Sequence, residues 1–337
     1  MRLRPFALTM ALVIAAGCPG ASAQVFDTGK EAFERHLAKA IEGVPAAQQG
    51  RIRDLCMGPP DPYTRAPGTR VPDEPEDLAA DRVPPMKVFD NLYFVGDRSM
   101  SVWALTTSQG IILFDATLGE LVEDRVVQGL PAVGLDPKDI KYVLVSHGHD
   151  DHYGGSKLLQ ERFGARVVMG AADWAMTPDP EVKGFREPLP KPDLYAGDMT
   201  LTLGDASVTI MATPGHTPGT LSFLFSVFDK GARHTVAFWG GGFPHESVAA
   251  MRAFAISAER FAPAVAKAGA DVVISNHPNN DESLPKMKAL AARATGGPHP
   301  FVLGPDQVAR RQVVLSECAR AYVAAGGRKG MPALGIR

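Results

Sequence analysis

Residues 142–155 read YVLVSHGHDDHYGG, in which an apolar run is followed at once by three histidines and two aspartates. A single histidine in a loop is usually solvated or hydrogen-bonded, but this density of imidazole and carboxylate at the end of a predicted strand is typical of a metal site. Neutral imidazole and carboxylate suit zinc and similar divalent ions. Side chains alternate along an extended chain, so His147 and His149 can point the same way. The segment therefore predicts a metal site at a strand end.

Two more histidines follow predicted strands further along the chain. Residues 213–219 read TPGHTPG after a strand over 207–212, and residues 275–278 read SNHP after a strand over 271–275. Glycine and proline make such loops tight and stiff, which would hold His216 and His277 in fixed positions. Alone, either histidine is as well explained by an ordinary structural role. Together, three strand ends each carry histidine, and these ends can converge at one edge of a sheet sandwich.

These three segments together resemble the metallo-β-lactamase fold superfamily, over roughly residues 88–292. The resemblance implies an α/β, four-layer αβ/βα sandwich with two zinc ions in a cleft along one edge. In the family pattern His-x-His-x-Asp-His the carboxylate ligand corresponds to Asp151, and Asp150 is the variable position. By this resemblance one zinc ion would be held by His147, His149 and His216, and the other by Asp151, His152 and His277.

Asp115 ends a predicted strand and is followed by Ala116 and Thr117. It is similar to the aspartate of this superfamily that orients a ligand histidine from behind. An aspartate that only caps a turn is the alternative. Asp151 is expected to orient the attacking nucleophile as well as to bind metal, and so is the candidate catalytic residue.

The segment 237–244, AFWGGGFP, carries no carboxylate where many hydrolases of this fold, such as the glyoxalase II type, have one that bridges the metals. In this respect the chain is most similar to the subclass B3 metallo-β-lactamases. That subclass usually has hydroxyl side chains in this loop, which the glycines cannot supply. The glycines either allow close backbone approach or widen a pocket. The substrate-pocket candidates are Trp239, Gly241, Gly242 and His245, with core packing the alternative for Trp239.

Residues 1–23 have the organisation of a secretory signal peptide. Arg2 and Arg4 precede an apolar stretch over residues 6–16, and residues 21–23, Ala-Ser-Ala, form a small-residue cleavage site. The mature chain would begin at Gln24, in the periplasm or outside the cell. Lipidation at Cys18 is the alternative, although the large aliphatic residue usual three positions before the cysteine is missing. No other stretch reaches the ~18 apolar residues of a membrane helix.

Export would place the chain in an oxidising compartment, where a pair of cysteines favours a disulfide. Cys56 and Cys318 are the two that remain after cleavage. A bond between them would join the N-terminal region to the C-terminal helix, and two buried free thiols are the alternative. We expect residues 24–85 to form an N-terminal helix and a proline-rich wrapping segment, and residues 86–337 to form the hydrolase domain with its C-terminal helix.

Composition narrows the function further. The 337 residues are 45% hydrophobic and 21% charged, which fits a folded chain with a large core. The formal net charge is -2, whereas a nucleic-acid-binding protein is expected to carry a basic surface. We therefore expect a di-zinc hydrolase of a small molecule, with a β-lactamase of the B3 kind first and a hydrolase of another lactone, ester or amide as the alternative. A redox enzyme is disfavoured, because iron-dependent members usually carry Glu in the first motif or a bridging carboxylate. Oligomeric state is left open.

Overall fold

Two packed β-sheets with helices on both outer faces make up this computed structural model, which describes residues 25–57, 81–175, 188–191, 193–244 and 247–336. The predicted signal peptide at residues 1–23, Gln24, and most of the predicted wrapping segment lie outside the described residues.

The first sheet has seven strands that lie side by side in chain order. Strands β1 to β4 form an antiparallel meander, and β4 to β7 pair in parallel. Parallel strands need crossover connections, and here these carry short helices. The strands are β1 Met86–Phe89, β2 Leu92–Phe94, β3 Trp103–Thr107, β4 Gly110–Phe114, β5 Ile140–Leu144, β6 Arg166–Gly170 and β7 Leu194–Ala196.

The second sheet has five strands in the order β12-β11-β10-β9-β8. Only the β11–β12 pair is parallel, and the others are antiparallel. The strands are β8 Met199–Leu203, β9 Ala206–Ala212, β10 Leu221–Asp229, β11 Ala232–Trp239 and β12 Val272–Ser275. Phe114 of the first sheet stacks on Phe225 of the second, with 4.6 Å between ring centroids. The inner faces of both sheets therefore share one apolar core.

Helices cover the two outer faces. One apolar cluster lies between the first sheet and its helices, and another lies between the second sheet and the helices Lys30–Ile41, Val248–Lys267 and Pro305–Ala324. The predicted four-layer sandwich is thus confirmed. The helices are α1 Lys30–Ile41, α2 Ala46–Met57, α3 Gly129–Ala132, α4 Asp150–Tyr153, α5 Ser156–Phe163, α6 Ala171–Trp174, α7 Val248–Lys267, α8 Pro278–Asp281, α9 Ser283–Ala291 and α10 Pro305–Ala324.

Two local predictions differ from the structure. The apolar run 89–95 suggests one strand, but Asp90 and Asn91 form a turn that pairs Phe89 with Leu92 in a hairpin; Asp and Asn favour turns because their side chains bond the local backbone. Residues 119–133 suggest one helix. They instead contain a π-helical turn, Glu123–Val127, followed by the short α3.

The N-terminal helices pack on the C-terminal helix. A disulfide joins Cys56 at the end of α2 to Cys318 in α10, which confirms the predicted pairing. Among the described residues, no helix combines the length and apolar character needed to cross a membrane.

Candidate metal centre

Six ligand-type side chains meet at one edge of the sandwich, and the loops that follow β5, β9 and β12 bring them there. We call His147, His149 and His216 the first trio, and Asp151, His152 and His277 the second trio. In each trio two members come from the loop and helix that follow β5 in the first sheet, and the third follows a strand of the second sheet. The convergence of three strand ends agrees with the sequence-based expectation.

The first trio has the spacing of a tetrahedral zinc site. One nitrogen of each imidazole lies within 4.8 Å of the others, and His149 Nδ1 is 3.2 Å from His216 Nε2. Two nitrogens on one tetrahedral zinc ion would be about 3.3 Å apart. His147 Nδ1 donates to the Gly240 carbonyl at 2.9 Å. Its Nε2 is buried and has no hydrogen-bond partner among the described residues, so a lone pair points into the trio.

The second trio is equally close-set. His152 Nε2 lies 3.2 Å from His277 Nε2 and 3.3 Å from Asp151 Oδ2, and His277 Nε2 is 3.8 Å from the same oxygen. The ligand atoms of His147, Asp151 and His152 also lie within 4.8 Å of one another, so the two trios adjoin. Asp151, the position that the family pattern selects, lies against the imidazoles. The donor set of each trio suits zinc.

Burial keeps most of these imidazoles neutral, as metal ligands must be. It lowers the pKa of His147 well below its usual value, with further lowering by neighbouring histidines. Burial, together with His149, lowers the pKa of His216 to about 3. Burial also lowers the pKa of His152, but the carboxylates of Asp151 and Asp115 outweigh it and raise the value to about 10. Burial raises the pKa of Asp151, yet His152 and the other imidazoles hold it well below its usual range.

Asp115 supports the second trio from behind. Its Oδ2 accepts a hydrogen bond from His152 Nδ1 at 2.9 Å, and its Oδ1 accepts from the Ser146 amide at 2.6 Å. Its backbone lies in the left-handed region, with φ 60°, which Asp and Asn adopt more readily than most residues. Asp115 thus both orients a histidine and caps the turn, so the two interpretations left open by the sequence hold together.

Asp173, which lies in none of the sequence motifs described above, joins the loops that carry the first trio. Its carboxylate is buried and accepts hydrogen bonds from Gly148 N, Gly219 N and Thr217 Oγ1, each at 2.7 Å. Burial raises the pKa of Asp173, although these bonds favour the charged form. A Cβ at Gly148 or Gly219 would lie 2.9 or 2.5 Å from the Asp173 side chain. In the sequence, these two glycines are the one feature that could have indicated the contact with Asp173.

Asn276 has a similar role beside His277. Its Nδ2 donates to the Gly240 carbonyl at 2.9 Å and to Ser146 Oγ at 3.0 Å. The same Gly240 carbonyl accepts from His147 Nδ1. One amide therefore ties the loops after β5, β11 and β12 together at the centre.

Two of the three glycines in the glycine-rich segment lie too close to neighbouring atoms for a side chain to fit. A Cβ at Gly240 would lie 1.7 Å from the Leu221 carbonyl, and one at Gly241 would lie 2.5 Å from His216 Cβ. Gly242 faces open space. Trp239 is buried and packs against Phe254 of α7, with 5.0 Å between ring centroids; core packing, rather than a pocket wall, is what the structure shows for it. His245 lies outside the described residues.

Comparison with known proteins agrees with this architecture. Residues 95–229 match the family described as the Metallo-beta-lactamase superfamily. A hydroxyacylglutathione hydrolase of Acidiphilium cryptum is 38% identical over 86 residues, which are 26% of this chain and 31% of that protein. The N-acyl homoserine lactonase AttM of Azorhizobium caulinodans is 28% identical over 191 residues, 49% of this chain and 68% of that one. The chain thus spans under a third of the first relative and about two thirds of the second.

Solved structures extend the likeness to most of the chain. BJP-1, a subclass B3 metallo-beta-lactamase of Bradyrhizobium japonicum, aligns with a TM-score of 0.61 at 27% identity, and the alignment covers 70% of this chain and 92% of that one. FEZ-1 of Legionella gormanii aligns with a TM-score of 0.62 at 20% identity, covering 74% and 98%. The second likeness is one of fold alone.

Proposed function

We propose, from the premise that this chain is a hydrolase with a metallo-β-lactamase domain, that it is an exported di-zinc enzyme that cleaves a cyclic amide, as a β-lactamase of the B3 kind does. Its main support is the division of six ligand-type side chains into three histidines on one side and Asp-His-His on the other. No Asp or Glu occurs in residues 237–244, where a bridging carboxylate would stand.

The protein's own groups prepare the centre for chemistry. Zinc held by the two trios would supply a Lewis acid for a carbonyl oxygen and would lower the pKa of water toward 7. The Gly240 carbonyl holds the proton of His147 on Nδ1, and Asp115 holds that of His152 on Nδ1, so that both Nε2 atoms face the centre. Asp151 is more exposed than His152; its carboxylate would bind metal and orient an attacking water toward the substrate.

Export is supported by two independent features. Residues 1–23 have the signal-peptide pattern, and the Cys56–Cys318 disulfide suits a periplasmic or extracellular protein. We further propose that residues 24–85 are an extension of the hydrolase domain at 86–337. Helices α1 and α2 share an apolar cluster with α7 and α10, so these two helices add to one helical layer.

Hydrolysis of a chromogenic cephalosporin by the zinc-loaded chain starting at Gln24 tests the proposal. We expect turnover that a chelator abolishes, and a fall in kcat/KM of more than about 100-fold in His147→Ala, since loss of a supporting residue alone costs 10–100-fold. His234→Ala is the matched control, because His234 also bonds a carboxylate, Asp271 at 2.6 Å, but belongs to neither trio. A protein that holds two zinc ions and leaves the cephalosporin intact would refute the β-lactamase assignment.

A second candidate is a hydrolase of another lactone, ester or amide. The similarity to an N-acyl homoserine lactonase over 191 residues favours it, as does a loop whose Gly241 has no room for a hydroxyl side chain. An acyl homoserine lactone offered in the same assay distinguishes the two. Chelator-sensitive lactone opening without cephalosporin turnover would replace the first candidate with this one.

A further inference from the structure

His277 is oriented by a backbone carbonyl from the opposite sheet. Its Nδ1 donates to the Ser99 carbonyl at 2.7 Å, which leaves Nε2 facing His152 and Asp151. Ser99 belongs to residues 95–102, the loop between β2 and β3. The direction and tautomer of this imidazole therefore depend on where that loop holds one carbonyl.

Asp97 fixes the conformation of the loop. Its Oδ1 accepts hydrogen bonds from the amides of Ser99 and Met100, both at 2.8 Å. Its own amide donates to the Met100 carbonyl at 2.8 Å. The turn is tight, since a Cβ at Gly96 would lie 2.2 Å from that same carbonyl. With both neighbouring amides held by one carboxylate oxygen, the Ser99 carbonyl has little freedom to rotate.

Arg125 forms a buried ion pair with the Asp97 carboxylate. Its Nε lies 3.4 Å from Asp97 Oδ2, and the two side chains are 3% and 2% exposed. Arg125 stands on the π-helical turn Glu123–Val127 and also pairs with Asp124. Such π-helical turns often occur at functional sites. Removing one partner of a buried pair leaves the other charge uncompensated, so the position of Asp97 depends on Arg125.

We propose that Arg125 and Asp97 are positioning residues for the second trio, acting on His277 through the Ser99 carbonyl. This inference rests on the proposed zinc centre. It assigns a function to a buried ion pair that could otherwise serve only to stabilise the first sheet. The two roles differ in what a substitution changes: positioning affects the second zinc ion alone, whereas general stabilisation affects both ions or neither.

The test compares zinc affinities of Arg125→Met and Asp97→Asn with the parent chain by competition with a chelator. We expect Arg125→Met to weaken the second zinc ion about 10–100-fold and to leave the first unchanged, the range that supporting groups of metal ligands show. Asp97→Asn keeps an oxygen for the two amides, so it should retain more affinity. Arg293→Met is the control, because Arg293 forms a partly buried ion pair with Asp229, at 2.7 Å, away from the centre.

A second measurement keeps the outcome separate from the proposed function. In the metal-free protein the Nδ1 proton of His277 should give a protected imidazole NMR signal that Arg125→Met weakens and Arg293→Met does not. Unchanged affinity and an unchanged signal would overturn the positioning role, as would an equal loss at both zinc ions. A parent chain that binds fewer than two zinc ions would refute the di-zinc proposal, and the NMR signal would then decide the positioning role alone.

Discussion

The carboxylate of Asp115 accepts a hydrogen bond from His152 Nδ1 at 2.9 Å, and both side chains are 1% exposed. A buried imidazole held in this way presents Nε2, and only Nε2, to the second trio. The contact joins the residue after β4 to α4, and through it a group outside the trios determines which nitrogen of His152 faces the centre.

Asp115→Asn should therefore weaken the second zinc ion about 10–100-fold. An amide nitrogen facing His152 would favour the tautomer with its proton on Nε2, which blocks the ligand atom. Asn tolerates the left-handed backbone at this position, so the fold should persist. Metal content after dialysis against a chelator measures the effect. Ser146→Ala, which removes the hydroxyl bonds to Asp115 and Asn276 but leaves the contact between Asp115 and His152 in place, is the control, and equal affinities in both variants would contradict the prediction.

Asp173→Ala should destabilise the protein by about 3 kcal/mol or more, because three buried donors lose their acceptor at about 1–3 kcal/mol each. Urea unfolding of the metal-free protein gives this free energy directly. Thr217→Val removes one of the same donors and should cost only about 1 kcal/mol. A loss in Asp173→Ala no larger than in Thr217→Val would show that the carboxylate does not join the two loops.

Serine at position 241 should disturb the first trio, and serine at position 242 should not. The new Cβ at 241 would meet His216 Cβ at 2.5 Å, whereas position 242 faces open space. We expect Gly241→Ser to lower affinity for the first zinc ion about tenfold or more, comparable to the loss of a supporting group. Gly242→Ser should keep parental metal content and can test whether a hydroxyl in this loop changes KM. Equal metal affinity in both variants would argue against the close approach.

Acid should unfold the metal-free protein in part through His216. Its pKa is about 3 in the folded chain against 6.5 in the unfolded chain, so between these values the unfolded state binds a proton that the folded state does not. Stability should then fall as pH drops from about 6.5 toward 3. His152 acts in the opposite sense: its contribution is present below 6.5 and is lost as pH rises through about 10.

The difference in unfolding free energy between the parent and His216→Gln, followed from pH 7 to pH 4, isolates this effect. The subtraction removes other groups such as Asp281, whose pKa burial raises to about 6. A difference that does not change with pH would contradict the assigned shift.

Loss of the disulfide should reduce stability without affecting metal binding. The double variant Cys56→Ser, Cys318→Ser opens a cross-link between residues 262 positions apart, and removal of a native disulfide typically costs about 2–5 kcal/mol. Thermal unfolding and zinc titration together check this. Loss of either zinc ion in the folded variant would mean that the N-terminal helices contribute to the centre.

The segments that carry the candidate metal centre could be recognised from the sequence because their chemistry is local. Four of the six ligand-type residues fall within positions 147–152, and the family register distinguishes Asp151 from Asp150. Asp173, Asn276 and Arg125 could not be found in this way, since each acts on residues that only the folded sheets bring near. The turn at Asp90 was missed for a different reason, because the apolar residues on either side of it are equally compatible with a single strand.

The origin of each trio in both sheets has a consequence for how the protein matures. Before the sheets dock, the segment after β5 offers an ion two ligands for either trio, and His216 and His277 lie on a separate half of the chain. Tight binding then requires a finished interface, because the free energy of metal binding is also free energy of folding. Each ion would then cross-link the two halves of the chain and would bind tightly only after the sheets have docked. The metal that is bound would therefore be selected by the folded protein, in the compartment where folding is completed.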